Sequence, residues 1–178
     1  MPTKRVRSLR YDSKEDTNKI NLLNSICYEL RTNNSKQALQ YGKEALALAK
    51  KLDDKKAQAQ ALRNLGIVYR YQGMYSEALT YYLSAAKINE AINYPEGISA
   101  SYNSIGLVYY YMGNHNLSIE YYERSLKIDE PANNLQQMAM TYTNLGAAYE
   151  GKENFDSALF YHEKSLLMEE KLHDSKGA

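Results

Sequence analysis

The sequence repeats itself at an offset of 40 residues, and no other feature narrows the possible folds as much. Three eight-residue segments align without a gap: Leu62-Arg63-Asn64-Leu65-Gly66-Ile67-Val68-Tyr69, Tyr102-Asn103-Ser104-Ile105-Gly106-Leu107-Val108-Tyr109 and Tyr142-Thr143-Asn144-Leu145-Gly146-Ala147-Ala148-Tyr149. A second ladder follows each, with Ala78-Leu79 recurring as Ser118-Ile119 and Ala158-Leu159, and Tyr81 as Tyr121 and Tyr161. One step back lie Ala38-Leu39 and Tyr41, an earlier copy. A fixed period of this size is the signature of stacked supersecondary units, each too small to bury its own apolar face.

Inside each copy the apolar residues fall at helical spacing. Leu62, Leu65, Gly66 and Tyr69 lie at i, i+3, i+4 and i+7, and Ala78, Tyr82 and Ala85 at i, i+4 and i+7. Each unit is therefore two amphipathic helices. Short turn signals at Asn33-Asn34, Gln72-Gly73, Gly113-Asn114 and Gly151 to Asn154 make the helices of a pair antiparallel. The joints between units read Asp53-Asp54, Asn93-Tyr94-Pro95, Asn133-Asn134 and Asp174-Ser175. Asp, Asn and Ser there can accept bonds from orphan helix amides, and Pro95 suits a first helical turn. The expected helices are 17–32, 36–52, 55–72, 75–91, 95–112, 115–130, 135–151 and 155–172. They group into pairs over 17–53, 54–93, 94–133 and 134–174, behind a basic, solvated N-terminal tail over 1–16.

At this point the residues resemble the tetratricopeptide repeat family, whose pattern is a large residue, then Leu-Gly and Tyr in the first helix and small, aromatic, small in the second. Leu62, Leu65, Gly66, Tyr69, Ala78, Tyr82 and Ala85 match it, as do Tyr102, Ile105, Gly106, Tyr109, Ser118, Tyr122 and Ser125, and Tyr142, Leu145, Gly146, Tyr149, Ala158, His162 and Ser165. The repeat here exceeds the family's usual length of about 34 residues. In that it is similar to the longer-repeat subclass of kinesin light chains and of bacterial sensor-kinase and cyclase regulatory regions. The resemblance implies an all-α fold: a right-handed superhelical solenoid of antiparallel helix pairs, four repeats plus the start of a fifth at 175–178. The chain would then be a fragment of a longer parent.

The first copy fits least well. Leu23, Ile26, Cys27 and Leu30 supply an apolar seam only at an offset of 39. Cys27 then takes the small-residue position, a packing role rather than that of a reactive thiol. Tyrosine supplies 18 of the 20 aromatic residues, so large packing positions carry a hydroxyl and are expected at half-exposed seams.

Several chemistries are excluded or disfavoured. With 22 basic and 21 acidic residues there is no overall field to attract nucleic acid or an anionic membrane. No apolar run approaches the roughly 20 residues that span a bilayer. The histidines, His115, His162 and His173, form no metal-ligand spacing, and a single cysteine cannot build a metal knuckle. Glu169 and Glu170 are adjacent on a helix and so do not face one another. Phosphate-binding glycine loops are absent. The expected protein is not an enzyme and takes no cofactor or metal. Cys27 suits a reducing compartment without excluding an oxidising one. Cytoplasmic location is expected, with the periplasmic sensory region of a membrane-anchored parent as the alternative.

Function is then expected at a surface. The resemblance implies that first helices line a concave groove, with Arg63, Asn64, Arg70 and Tyr71, then Asn103, Ser104, Tyr110 and Tyr111, then Thr143, Asn144 and Glu150 reaching into it. Asparagine can bond both polar groups of an extended peptide, arginine forks onto carboxylates and tyrosine gives broad contact at low entropic cost. A second role for Asn64 and Asn144 is to bridge neighbouring helices. The clamp that some family members form on a C-terminal carboxylate does not fit, because Gln60, Ala100 and Met140 stand where its basic residues would be. The expected function is a protein or peptide interaction module, the regulatory part of a larger bacterial signalling protein. Alternatives are a receptor for a short signalling peptide and a self-association segment, the last through the apolar Leu159, Leu166, Leu167 and Met168 as a homodimer.

Overall fold

In the computed structural model the backbone is described for residues 4–177 and the side chains for 16–173. Among the described residues eight helices follow in order: α1 (Lys4–Glu29), α2 (Ser35–Lys51), α3 (Lys55–Tyr71), α4 (Tyr75–Ala91), α5 (Pro95–Tyr111), α6 (His115–Asp129), α7 (Leu135–Glu150) and α8 (Phe155–Gly177). No strand occurs among the described residues. The chain divides into two compact units, Met1–Ile92 and Asn93–Ala178. In the first, α1 packs on α2, α2 on α3, α3 on α4, and α1 also meets α3; in the second, α5 through α8 repeat that order. This is the consecutive helix-pair packing of a helical-repeat solenoid.

Turn chemistry sets the helix boundaries. Asn34, Asp54, Asn114 and Asn134 cap the helices that follow them, each accepting from a backbone N–H three residues on. α5 lacks a side-chain cap and starts on Pro95, which has no N–H to satisfy. The first member of each joint does something else: Asp53, Asn93 and Asn133 take left-handed φ values of 53, 49 and 49°. Asx side chains tolerate that conformation better than other non-glycine residues. At the next joint His173 holds the corresponding place. It is not left-handed, and α8 runs on to Gly177 instead of ending near 172. At the other end, helical backbone precedes residue 17, since nothing between Lys4 and Asp16 is Gly or Pro. The basic tail over 1–16 lies, apart from Asp16, outside the residues with described side chains.

Small residues let paired helices approach. A Cβ on Gly66 would lie 2.6 Å from Tyr82, and one on Gly106 would lie 2.7 Å from Tyr122. Both rings are fully buried, so these tyrosines are core residues rather than seam residues. The second type of tyrosine is the half-exposed kind: Tyr69 stacks on Tyr81, Tyr109 on Tyr121 and Tyr149 on Tyr161, with ring centroids 5.2, 5.6 and 5.3 Å apart. In the first pair the sizes are exchanged. Gly42 on α2 replaces the large ring and faces Cys27 on α1, so the small residue sits on the second helix. Cys27 is fully enclosed and burial pushes its thiol up to about 11, which removes nucleophilic character at neutral pH.

Candidate functional site

A cleft of about 490 Å³ runs between α1 and α3 and is lined by Asn21, Asn24, Ser25, Tyr28, Glu29, Gln60, Arg63 and Asn64. Its floor is an amide ladder. Asn64 Nδ2 donates to the backbone carbonyl and to Oδ1 of Asn24, at 3.2 and 3.1 Å, while Gln60 Nε2 donates to Asn64 Oδ1 at 3.0 Å. Asn64 and Asn24 are buried and tie α3 to α1. Gln60, Asn21 and Ser25 remain exposed on the rim. Arg63, also in the lining, donates from Nη2 to Gln60 Oε1 at 3.3 Å.

Tyr28 joins the cleft to an arginine–tyrosine cluster. The Arg31 guanidinium lies 3.7 Å from the Tyr28 ring centroid and 5.6 Å from that of Tyr71; Arg70 lies 4.5 Å from the same Tyr71 ring. Hydrogen bonds from Arg31 and Arg70 hold the Tyr71 hydroxyl below its ordinary value of 10. Arg70 also reaches the Tyr82 hydroxyl, which burial nevertheless pushes up to about 12. Tyr28 and Tyr71 each leave nearly half their surface open to solvent.

The expected groove residues of the second unit are distributed differently. Asn103 is buried, donating to Thr141 Oγ1 at 2.8 Å and accepting from Asn144 Nδ2 at 3.1 Å, so Asn103 and Asn144 bridge α5 and α7. Ser104 bonds back to the Ala100 carbonyl. Thr143 pairs with Ser165 and Glu150 with His162, both on α8. Tyr110 packs edge-on to Tyr111, whose ring is half exposed. Arg63 and Asn64 thus line the cleft, Arg70 and Tyr71 pack on one another, and the second role considered for Asn64 and Asn144, bridging, is the one the geometry displays. The α1 side of the cleft, Asn21, Asn24, Tyr28 and Arg31, escaped the sequence reading. Its signal is the polar register: Asn24 and Asn64 stand 40 apart, whereas the apolar seam of the first copy stands 39 from that of the second.

Among the described residues no three His, Cys, Asp or Glu side chains gather as metal ligands would, and no helix is long and apolar enough to cross a membrane. Stacked helix pairs with a polar, aromatic-rimmed cleft define a helical-repeat interaction scaffold. The chain belongs to the tetratricopeptide repeat family, whose model matches residues 17–91 and 97–168. Among curated protein sequences none matches. Among solved structures, the aspartyl phosphate phosphatase F from Bacillus subtilis is 18% identical with a TM-score of 0.81, covering 88% of this chain and 42% of its own. A Rap protein complexed with competence and sporulation factor is 18% identical with a TM-score of 0.81, covering 90% of this chain and 45% of its own. MamA is 26% identical with a TM-score of 0.64, covering 95% and 89%. The chain spans less than half the length of the first two.

Proposed function

We propose that this chain is a protein or peptide interaction module that takes its partner along the first-helix side of its repeats, as the regulatory portion of a larger signalling protein. The observation that carries the reading is the α1–α3 cleft. It offers exposed amides at Asn21 and Gln60, which suit the N–H and C=O groups of an extended chain, and an open ring at Tyr28, with that of Tyr71 across Arg31, which suit its side chains. The likeness to a Rap protein complexed with competence and sporulation factor supports a signalling role of this kind. Arg63, Arg70 and Tyr71 are the proposed contacts in the first unit, and Ser104, Tyr110 and Tyr111 in the second; Asn64, Asn103 and Asn144 contribute by holding the helices in register. The test is panning of random displayed peptides on the wild-type chain and on Gln60→Ala with Tyr71→Ala. Loss of capture by that variant, with capture kept by Lys87→Ala on the outer side of α4, is the expected result. Equal capture by all three would refute the assignment of the face.

A second reading, self-association, rests on α8. Leu159 and Leu166 are 61% and 57% exposed, whereas Ile119 and Leu126, their counterparts on α6, are 8% and 7% exposed beneath α7. Apolar residues in register with a buried interface favour contact with a further helix or a second copy.

A further inference from the structure

Among the first helices, α1 mixes basic with acidic residues, whereas α3 alone carries positive charge without a carboxylate. α3 carries Lys55, Lys56, Arg63 and Arg70 with no Asp or Glu in its 17 residues. α5 and α7 hold no Lys or Arg, and each carries one glutamate, Glu96 and Glu150. Arg31 and Arg70 face the same Tyr71 ring, and Arg63 lines the adjoining cleft, whose lining holds a single carboxylate, Glu29. The chain as a whole is almost neutral, at +1, so this is a local segregation.

Arg31 and Arg70 are held by rings. Arg31 lies over Tyr28 and faces Tyr71, and its Nη1 donates to the Tyr28 carbonyl at 2.6 Å. Its Nε is shut away from solvent without an acceptor. Among the described residues Arg31 forms no ion pair. A guanidinium stacked on aromatic rings keeps its outer N–H edge oriented and loses little freedom when a carboxylate docks, which is where arginine exceeds lysine as an anion receptor. The rings beside it are open enough to take an apolar neighbour of that carboxylate.

We propose that the partner of the α1–α3 cleft is an acidic peptide segment, with an Asp or Glu carboxylate received by Arg31, Arg63 and Arg70 and an adjoining apolar side chain laid on Tyr28 and Tyr71. The proposal rests on the reading of this cleft as a peptide site and adds its charge preference. Electrostatic complementarity of this kind selects partners and raises association rates, and it weakens with added salt.

The experiment separates the two ideas. A phage-displayed library of random short peptides is panned on the full chain, and a selected peptide is resynthesised with a fluorophore for anisotropy titration. The expected result is enrichment of Asp and Glu over Lys and Arg, affinity that falls as salt rises, and about tenfold or greater loss both in Arg31→Gln with Arg63→Gln and when the peptide's Asp and Glu become Asn and Gln. Lys87→Gln should leave binding unchanged. The substitution in the peptide decides the matter even if the double variant fails to fold. Selected peptides that are neutral or basic, or that bind equally well as amides, overturn the acidic preference while leaving a peptide site in place. If no peptide is selected at all, the peptide-site reading fails along with it.

Discussion

Replacing Gly106 by alanine tests the claim that a missing Cβ sets the distance between paired helices. The new methyl would lie 2.7 and 2.8 Å from ring carbons of Tyr122 and 3.1 Å from the carbonyl oxygen of Ser118. The ring is wholly enclosed, so it cannot swing aside, and restoring ordinary carbon contact of about 3.7 Å requires α6 to retreat by about 1 Å. Overpacking of that size costs about 1–3 kcal/mol. Alanine in a helix returns about 1 kcal/mol over glycine, leaving a net loss of about 1 kcal/mol. For a chain of this length the melting temperature should fall by about 2–4 °C, measured by circular dichroism at 222 nm. The sharper expectation is a change of sign. With Tyr122→Leu as background the two shortest contacts vanish, and Gly106→Ala should then cost nothing or stabilise. An equal loss in both backgrounds, or stabilisation by Gly106→Ala alone, would refute the close-approach argument.

Other expectations follow from single sites. Asp129 is buried with Ser99 and Ser125, and burial, aided by Glu96, raises its carboxyl above 3.8 despite hydrogen bonds from both serines. The folded state therefore holds the proton more tightly than the unfolded one. This contribution is full below 3.8 and is lost as pH rises through the folded value. Asp129→Asn, which copies the buried Asn89 one repeat earlier, should remove that decline in a urea-midpoint series across acid pH. Asn64→Ala strips donors from two oxygens of Asn24 and should lower stability by about 1–3 kcal/mol in urea denaturation. Glu153 stands at φ 59°, where the preceding repeats have Gly73 and Gly113, so Glu153→Gly should raise the melting temperature by relieving about 1 kcal/mol of backbone strain, less the added freedom of the unfolded glycine. If α8 mediates self-association, Leu159→Glu with Leu166→Glu should shift sedimentation toward monomer, whereas Leu83→Glu, exposed on α4, should not.

The fold was legible because the information for it is periodic and local. Gly66, Gly106 and Gly146 recur in step, each beneath a large ring one helix later, and Asp53, Asn93 and Asn133 supply left-handed turns at the joints, followed by a side-chain cap at Asp54 and Asn134. Where the period fails, so does the reading. His173 in place of an Asx lets α8 continue, and the exchange of size between Cys27 and Gly42 appears only when the facing helix is in view. The cleft was half legible. Arg63, Arg70 and Tyr71 follow from helix phase, but phase cannot say whether an asparagine faces a ligand or another helix, and Asn64 faces Asn24. Nor does a single helix reveal that Arg31, past the end of α1, stacks beside a ring from the following repeat.

The central claim is that the first-helix side of unit 1 receives the partner. Hydrogen–deuterium exchange of the full chain, with and without a peptide selected on it, tests this most directly. Added protection confined to α1 and α3, strongest around Tyr28 and from Gln60 to Tyr71 and unchanged in α2 and the outer side of α4, is the predicted result. Protection gained on α2 and α4 instead, with α1 and α3 exchanging as before, would contradict it.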